Sequence, residues 1–258
     1  MIFEQMNNPF SLEGKTIVVT GASSGIGRQC AIDCSKMGAK VAAVARNQVR
    51  LKETLSMLEG KGHCCYSCDL SKFEGISDLV YSIVSDCGRI GGMIYAAGIE
   101  KTMPFKLLSP DDYFNVINVN ALGALEMVRH ISSVKNFSEE GGSLVFIASI
   151  ASVIARAGTA AYTASKGLLV STTRVLASEL SSRKIRVNCI SPGTILTPLL
   201  QNYLSTLSEE EYKKRVNSSL LGLGYPSDVS MAGIYLLSDA SRWVTGQNLI
   251  VDGGYTIK

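Results

Sequence analysis

The chain has 258 residues, 46% of them hydrophobic and 18% charged, with a formal net charge of +3. That length suits one large α/β domain rather than two, and the composition is that of an ordinary globular protein. No basic block of five or six residues points to nucleic acid. No apolar run reaches the roughly 18 residues of a membrane span, and M-I-F-E-Q-M-N-N-P-F lacks the apolar core of a leader, so a cytoplasmic protein is expected.

Residues 1–12 read as an irregular arm. K-T-I-V-V-T at 15–20 is apolar throughout, as suits a central parallel strand covered on both faces. It passes into T-G-A-S-S-G-I-G, Thr20 to Gly27, and then into the helical pattern R-Q-C-A-I-D-C-S-K-M-G, which Gly38 ends. Glycines between a strand and a helix permit a tight turn and close backbone approach, and the helix N-terminus faces an anion. In this context Gly21, Gly25 and Gly27 point to a dinucleotide, although G-x-x-x-G-x-G differs from the common G-x-G-x-x-G. The second strand is K-V-A-A-V-A-R, 40–46. A ribose without a 2′-phosphate calls for an acid about 20 residues beyond the glycines. Ala45 and Arg46 stand there instead, so a 2′-phosphate meets no carboxylate and has a guanidinium to bind; NADP(H) is the expected cofactor. The alternative for Arg46 is a solvated surface side chain.

A helix at 47–59 leads to a third strand at 64–68, closing on Asp69 and Leu70. An acid just past a strand can accept from an adenine amino group, though an isolated Asp there also serves as a turn or N-cap residue. H-C-C-Y-S-C at 63–68 contains C-x-x-C. On a strand, residues 63 and 65 face one way and 64 and 68 the other, so they do not converge on a metal. The seven cysteines (Cys30, Cys34, Cys64, Cys65, Cys68, Cys87, Cys189) are an odd number, which argues against a disulfide framework and for buried structural thiols.

Residues 72–87 are helical, and M-I-Y-A-A-G at 93–98 is the fourth strand with Gly98 at its mouth. Residues 111–130 form one long amphipathic helix holding Asn118, Asn120 and a structural His130. A buried Asn costs stability unless bonded, which points one of the two to a task beyond folding. G-S-L-V-F-I-A-S at 142–149 is the fifth strand, and I-R-V-N-C-I-S-P-G at 185–193 the sixth, closing on Pro192-Gly193. Leu199, Leu200, Tyr203, Leu204 and Leu207 then recur at helical spacing. They form either a packed surface helix or the apolar underside of a lid over about 194–222. A helix at 226–238 and a seventh strand in Q-N-L-I-V-D-G-G end the chain.

Between the fifth and sixth strands lies S-I-A-S-V-I-A-R-A-G-T-A-A-Y-T-A-S-K, Ser149 to Lys166. On a helix running to about Leu180, Tyr162 and Lys166 leave the same face one turn apart. Y-x-x-x-K is a common spacing and alone carries no chemistry. A cation beside a phenol favours the phenolate, however. A fall of roughly three units from the free value of about 10 would make Tyr162 a proton donor and acceptor near neutral pH. Ser149, at the end of a buried strand, is placed to hydrogen-bond a substrate oxygen held over Tyr162.

Strand and helix alternate six or seven times without linker or repeat. That predicts a single-domain, doubly wound, Rossmann-like parallel sheet of about seven strands with helices on both faces. Ligands in such sheets bind at strand C-termini, where the glycine loop, Arg46, Asp69, Gly98, Ser149 and Pro192-Gly193 all fall.

Taken in order, T-G-A-S-S-G-I-G, Asp69, Ala96-Ala97-Gly98, N-V-N at 118–120, Ser149, Y-T-A-S-K and Pro192-Gly193 resemble the short-chain dehydrogenase/reductase family over essentially the whole chain. The resemblance implies a catalytic set. Asn120 would anchor a proton-relay water through its backbone and Ser149 orient the substrate carbonyl. Tyr162 would be the general acid or base, and Lys166 would bind the nicotinamide ribose and lower the Tyr162 pKa. It also implies cofactor contacts from Gly21, Ser23, Ser24, Gly25, Ile26 and Gly27, from Arg46, Asp69 and Leu70, and from Ala97 and Gly98. Pro192, Gly193, Thr194, Ile195 and Thr197 would complete the cofactor site, the last segment near the nicotinamide amide and phosphates. A homotetramer is implied in the same way.

The family usually has N-N-A-G where this chain has Y-A-A-G, so Tyr95 and Ala96 are expected to loosen the adenine-side loop. The chain looks most like the 3-oxoacyl-[acyl-carrier-protein] reductase branch of fatty-acid synthesis, which implies NADPH-dependent reduction of a 3-oxoacyl thioester. That branch docks an acidic carrier protein through basic residues near the active-site entrance. Arg183 fits such a role, while Glu139-Glu140 before the fifth strand would repel the partner. Reduction of a steroid, sugar or other small ketone is the alternative. A non-catalytic NADP(H)-binding sensor or scaffold is the alternative from another class.

Overall fold

The computed structural model describes residues 8–205 and 207–258, the side chains of Leu199, Asn202 and Tyr203 excepted. Residues 1–7 of the expected arm, and Leu199 and Tyr203 of the expected lid face, therefore lie outside the described residues. The apolar runs become strands β1 (Thr16–Thr20), β2 (Lys40–Ala45), β3 (Cys64–Ser67), β4 (Ile90–Tyr95), β5 (Gly142–Ile147), β6 (Ile185–Pro192) and β7 (Asn248–Val251). Between them run α1 (Gly25–Lys36), α2 (Gln48–Leu55), α3 (Ile76–Cys87), α4 (Pro110–Ile117), α5 (Gly123–Ile131), α6 (Ala160–Leu180), α7 (Pro198–Leu204), α8 (Glu209–Val216) and α9 (Pro226–Leu237).

All seven strands pair in parallel in the order β3-β2-β1-β4-β5-β6-β7. Strand residues alternate between two apolar layers, as a period of two requires. Val18, Val44, Met93, Leu144 and Phe146 pack with α3, α5 and α6 on one face. Ile17, Val19, Val41, Ile94 and Val145 pack with α1 and α9 on the other. The chain reverses direction across the sheet between β1 and β4, which opens a crevice at their C-terminal ends.

Three elements depart from the pattern read in the sequence. The fourth strand begins at Ile90, not at residue 93. A Cβ on Gly92 would stand 2.9 Å from Ile17 Cδ1 and 3.0 Å from Leu237 Cδ2; the glycine lets α9 and β1 approach the strand. The long helix at 111–130 is broken by a π-helical turn at Asn118–Leu122 between α4 and α5. Finally, residues 194–212 hold two helices rather than one, because Ser208 and Glu211 cap each other reciprocally and start α8 afresh.

Cys64 and Cys68 pack against one apolar layer and Cys65 against the other. All three are half-buried rather than buried as expected, since β3 is the edge strand and only one neighbour covers it. Among the described residues no helix is long and apolar enough to cross a membrane.

Candidate active site

The crevice between β1 and β4 is shaped by glycines. Gly21 has φ +67°, and a Cβ there would lie 2.8 Å from the Ala96 carbonyl; a Cβ on Gly27 would lie 2.3 Å from the Gly21 oxygen. Only glycine fits both positions. Thr20 holds the facing loop, its Oγ1 accepting from the Ala96 amide at 3.1 Å and the Ala97 amide at 3.0 Å. Arg28 donates to the Ser23 carbonyl at 2.7 Å, and Thr54 donates to the Ala22 carbonyl at 2.8 Å, fixing the loop from behind. Helix α1 starts after Ser24, whose side chain makes no capping bond, and its first turn carries no acid. Its opening amides, from Gly25, Ile26 and Gly27, thus face the crevice with a positive end. This cradle, which a Cβ would fill, fits the pyrophosphate of a dinucleotide.

The other expected cofactor residues gather at the same sheet edge. Arg46, past the end of β2, is exposed, and among the described residues no ion pair holds it. It lies within electrostatic reach of Asp69. Asp69 itself uses Oδ1 to accept from the Ser71 amide and hydroxyl, at 3.1 and 2.8 Å, which is the turn role weighed above. Leu70 is buried. A Cβ on Gly98 would stand 3.4 Å from Asn120 Oδ1 and 3.5 Å from Lys166 Nζ. Beyond β6, Pro192-Gly193 is pressed against Asp252, and Thr194 and Ile195 are buried beside Gly224. Thr197 Cγ2 lies 3.3 Å from where a Gly25 Cβ would be, so this segment closes onto the glycine loop.

The four candidate catalytic residues converge at the ends of β4, β5 and α6. Ser149 follows β5; its Oγ accepts from the Ala151 amide at 3.1 Å, and the hydroxyl is near enough to Tyr162 to favour the ionised phenol. Lys166, one turn beyond Tyr162 on α6, is buried. Its Nζ donates to the Ile147 carbonyl at 2.8 Å and sits 5.6 Å from the Tyr162 ring centroid. Asn120 lies in the π-helical turn, fully buried. Its side chain accepts from the Ile99 amide at 2.8 Å and donates to the Ile99 carbonyl at 2.9 Å and Ser165 Oγ at 3.0 Å. Both amide hydrogens of the Asn120 side chain are thus engaged, so it has no donor left for a further partner.

The electrostatics differ from the expectation. Burial raises the Tyr162 phenol above its ordinary value; the Ser149 hydroxyl opposes the rise, Glu100 adds to it and Arg156 opposes it. The anticipated fall under the Lys166 cation does not occur: burial of the phenol outweighs what lowers it, and the ammonium is bonded to the Ile147 carbonyl rather than to the phenol. Burial pushes Lys166 itself down to about 8, with Cys189 acting in the opposite sense. Glu100 and Arg156, paired with each other across the site, were not singled out in the sequence. Neither lies in a motif, and only the fold brings their loops together through the Met103 amide and Gly158 carbonyl at 2.9 Å.

Two further expectations are corrected. The Tyr95 substitution does not loosen its loop: the ring is fully buried and its hydroxyl donates to the Val119 carbonyl at 2.6 Å. Arg183 and Glu139-Glu140 precede β6 and β5, so they sit at the N-terminal end of the sheet, opposite the chain's own Ser149 and Tyr162. Arg183 is spent on the Ser132 carbonyl and Glu139 on Arg89. Neither argues for or against a carrier protein at this mouth.

A doubly wound sheet with a glycine-lined crevice, and a serine, tyrosine and lysine at its edge, defines the class of dinucleotide-dependent oxidoreductases. A family model described as enoyl-(acyl carrier protein) reductase matches residues 21–256. An NAD-dependent glycerol dehydrogenase of Listeria innocua serovar 6a is 35% identical over 259 residues, covering 100% of both chains. A 3-oxoacyl-[acyl-carrier-protein] reductase of Mus musculus is 33% identical over 240 residues, 93% of this chain and 97% of its own. A crystal structure from Sinorhizobium meliloti 1021, described as a short-chain alcohol dehydrogenase, superposes with a TM-score of 0.90 at 27% identity, covering 97% of this chain and 100% of that one. The chain belongs to the short-chain dehydrogenase/reductase family. It is an oxidoreductase acting on CH–OH and C=O groups, and it binds a nicotinamide dinucleotide.

Proposed function

We propose that this chain reduces a carbonyl to a secondary alcohol using NADPH, with a 3-oxoacyl thioester as the favoured substrate. The observation that carries the reading is the convergence of Ser149, just past β5, with Tyr162 on α6 and with Lys166 one turn beyond it, the Lys166 Nζ lying 5.6 Å from the Tyr162 ring centroid. The bound nicotinamide supplies the hydride. Ser149 holds the carbonyl oxygen, and Tyr162 gives it a proton as charge develops there. A phenol held above its ordinary range is protonated at neutral pH, which suits reduction. Lys166 places a positive charge beneath the site and holds the nicotinamide ribose, and Asn120 offers its backbone to a relay water. The glycine loop, Asp69, Leu70, Ala97, Gly98 and residues 192–197 hold the rest of the cofactor.

Preference for NADP(H) rests on Arg46, exposed past β2, and on Ala45 where a ribose-binding acid would stand. The relative that is NAD-dependent makes this a matter for measurement. The thioester rests on the 3-oxoacyl reductase relative and on the apolar side of the 194–222 segment, where Leu204 is buried and Leu200 and Leu207 half-buried. That segment is read as the lid. Cytoplasmic location and assembly as a homotetramer belong to the same reading; Leu249 and Ile250 on the edge strand β7 are partly exposed, as an assembly surface requires. An acyl carrier protein, the expected partner of the thioester reading, is its bearer in this proposal.

The test is NADPH oxidation with an acetoacetyl thioester beside a steroid ketone, a keto sugar and a small diketone, with NADH in parallel. Turnover of the thioester above the others supports the assignment. Silence with the thioester and turnover of another ketone keeps the chemistry and discards the substrate.

A further inference from the structure

The π-helical turn at Asn118–Leu122 is clamped from one side by Tyr95. The ring is fully buried at the end of β4, and its hydroxyl donates to the Val119 carbonyl at 2.6 Å. The next residue, Asn120, donates from Nδ2 to Ser165 Oγ at 3.0 Å, and Ser165 donates to the Tyr162 carbonyl at 2.7 Å. Hydrogen bonds thus run from the strand end, through the turn, to the backbone that carries the Tyr162 phenol. The fit is close: a Cβ on Gly123 would stand 2.8 Å from the Tyr95 hydroxyl and 2.4 Å from the Leu70 carbonyl. Sheet, turn and glycine are matched to this one phenol.

We propose that Tyr95 is a positioning residue for the reaction, setting Asn120 and, through Ser165, the catalytic turn of α6. The inference rests on Tyr162 being the proton-transfer residue. Tyr95 touches neither substrate nor cofactor in this role; it fixes the wide turn whose backbone and side chain do. Helical turns of this kind have few hydrogen bonds to spare, and a tertiary bond to one carbonyl selects one geometry.

The experiment is Tyr95→Phe, which keeps the ring and removes the hydroxyl. Cofactor-binding sites are counted by NADPH fluorescence, and kcat is expressed per site. The expected result is a fall in kcat of about tenfold, since small misplacements near the reacting groups carry losses of that size, with the KM for NADPH within about twofold of wild type. The solvent deuterium isotope effect on kcat should rise as proton delivery slows. A merely structural role would lower the melting temperature and leave kcat per site and the isotope effect unchanged, and that result overturns the proposal. A cycle with Ser165→Ala locates the path. Sub-additive losses support the chain; additive losses overturn it. Should Phe at 95 give no folded protein, Ser165→Ala alone decides, and an unchanged kcat overturns the proposal at its last link. Tyr162→Phe in parallel separates failures. If that variant stays active, the reading of Tyr162 is lost; if it is dead and Tyr95→Phe is unaffected, only the positioning role is lost.

Discussion

Lys166 stands one helical turn beyond Tyr162 with its ammonium 5.6 Å from the ring centroid, yet it bonds the Ile147 carbonyl at 2.8 Å and not the phenol. The spacing Y-x-x-x-K therefore delivers a buried cation beneath the site rather than a direct partner for the phenol. Each member of the pair is displaced by burial, the phenol upward and the amine down to about 8.

Burial of Lys166 has a consequence for stability. A fall from 10.5 to about 8 is on the order of 3 kcal/mol against the charged form in the folded state. The unfolded chain binds the proton more tightly, so this cost is fully present below about pH 8 and shrinks as pH rises toward 10.5. Lys166→Met keeps the apolar stem. It is expected to raise stability at pH 7 by about 1 to 3 kcal/mol in urea melts, less than the full figure because the Ile147 carbonyl loses its donor. The gain should fade between pH 8 and 10.5. Activity should be lost with it. A stability difference that does not change with pH would mean that Lys166 is not held below its ordinary range.

In the proposed mechanism the ion pair of Glu100 and Arg156 tunes the proton donor, Tyr162. Glu100 adds to the rise of the Tyr162 pKa and Arg156 opposes it, after burial and the Ser149 hydroxyl. Reduction needs the protonated phenol. Glu100→Gln should therefore move the alkaline loss of kcat to lower pH, and Arg156→Met should move it to higher pH. The pH profiles of the two variants, taken together, check the sign; limbs that shift in the same direction contradict this account.

In the proposed reading, cofactor choice depends on Arg46. Arg46→Asp replaces a phosphate partner with a charge that repels it, and a charge-assisted bond of this type contributes about 1.5 to 3 kcal/mol. The NADPH-to-NADH ratio of kcat/KM is expected to fall by at least about tenfold. An unchanged ratio would show that another group reads the ribose.

Much of this site was legible because it is local. T-G-A-S-S-G-I-G carries its own strand end, turn and helix start, and Tyr162 and Lys166 share a face by spacing alone. What escaped depended on tertiary contact. The early start of β4 escaped because Gly91 and Gly92 add nothing to an apolar pattern, and only the packing of Ile17 and Leu237 against Gly92 shows that the strand begins there. The π-helical turn keeps the apolar face of its helix, so no periodicity betrays it. Tyr95 was read as a weakness because its partner, Val119, is 24 residues away. The expected direction of the Tyr162 shift failed for a related reason: spacing places the cation, but only the packed structure tells how much water is lost around the phenol and which carbonyl claims the ammonium. Glu100 and Arg156 are 56 residues apart and meet only when their loops join.

The central claim is that Tyr162 delivers the proton. The most direct measurement is kcat for carbonyl reduction by Tyr162→Phe together with its dissociation constant for NADPH. Loss of kcat by roughly 100-fold or more, with NADPH binding within about threefold of wild type, is the predicted result. Turnover close to wild type, with cofactor bound as well as before, would contradict it.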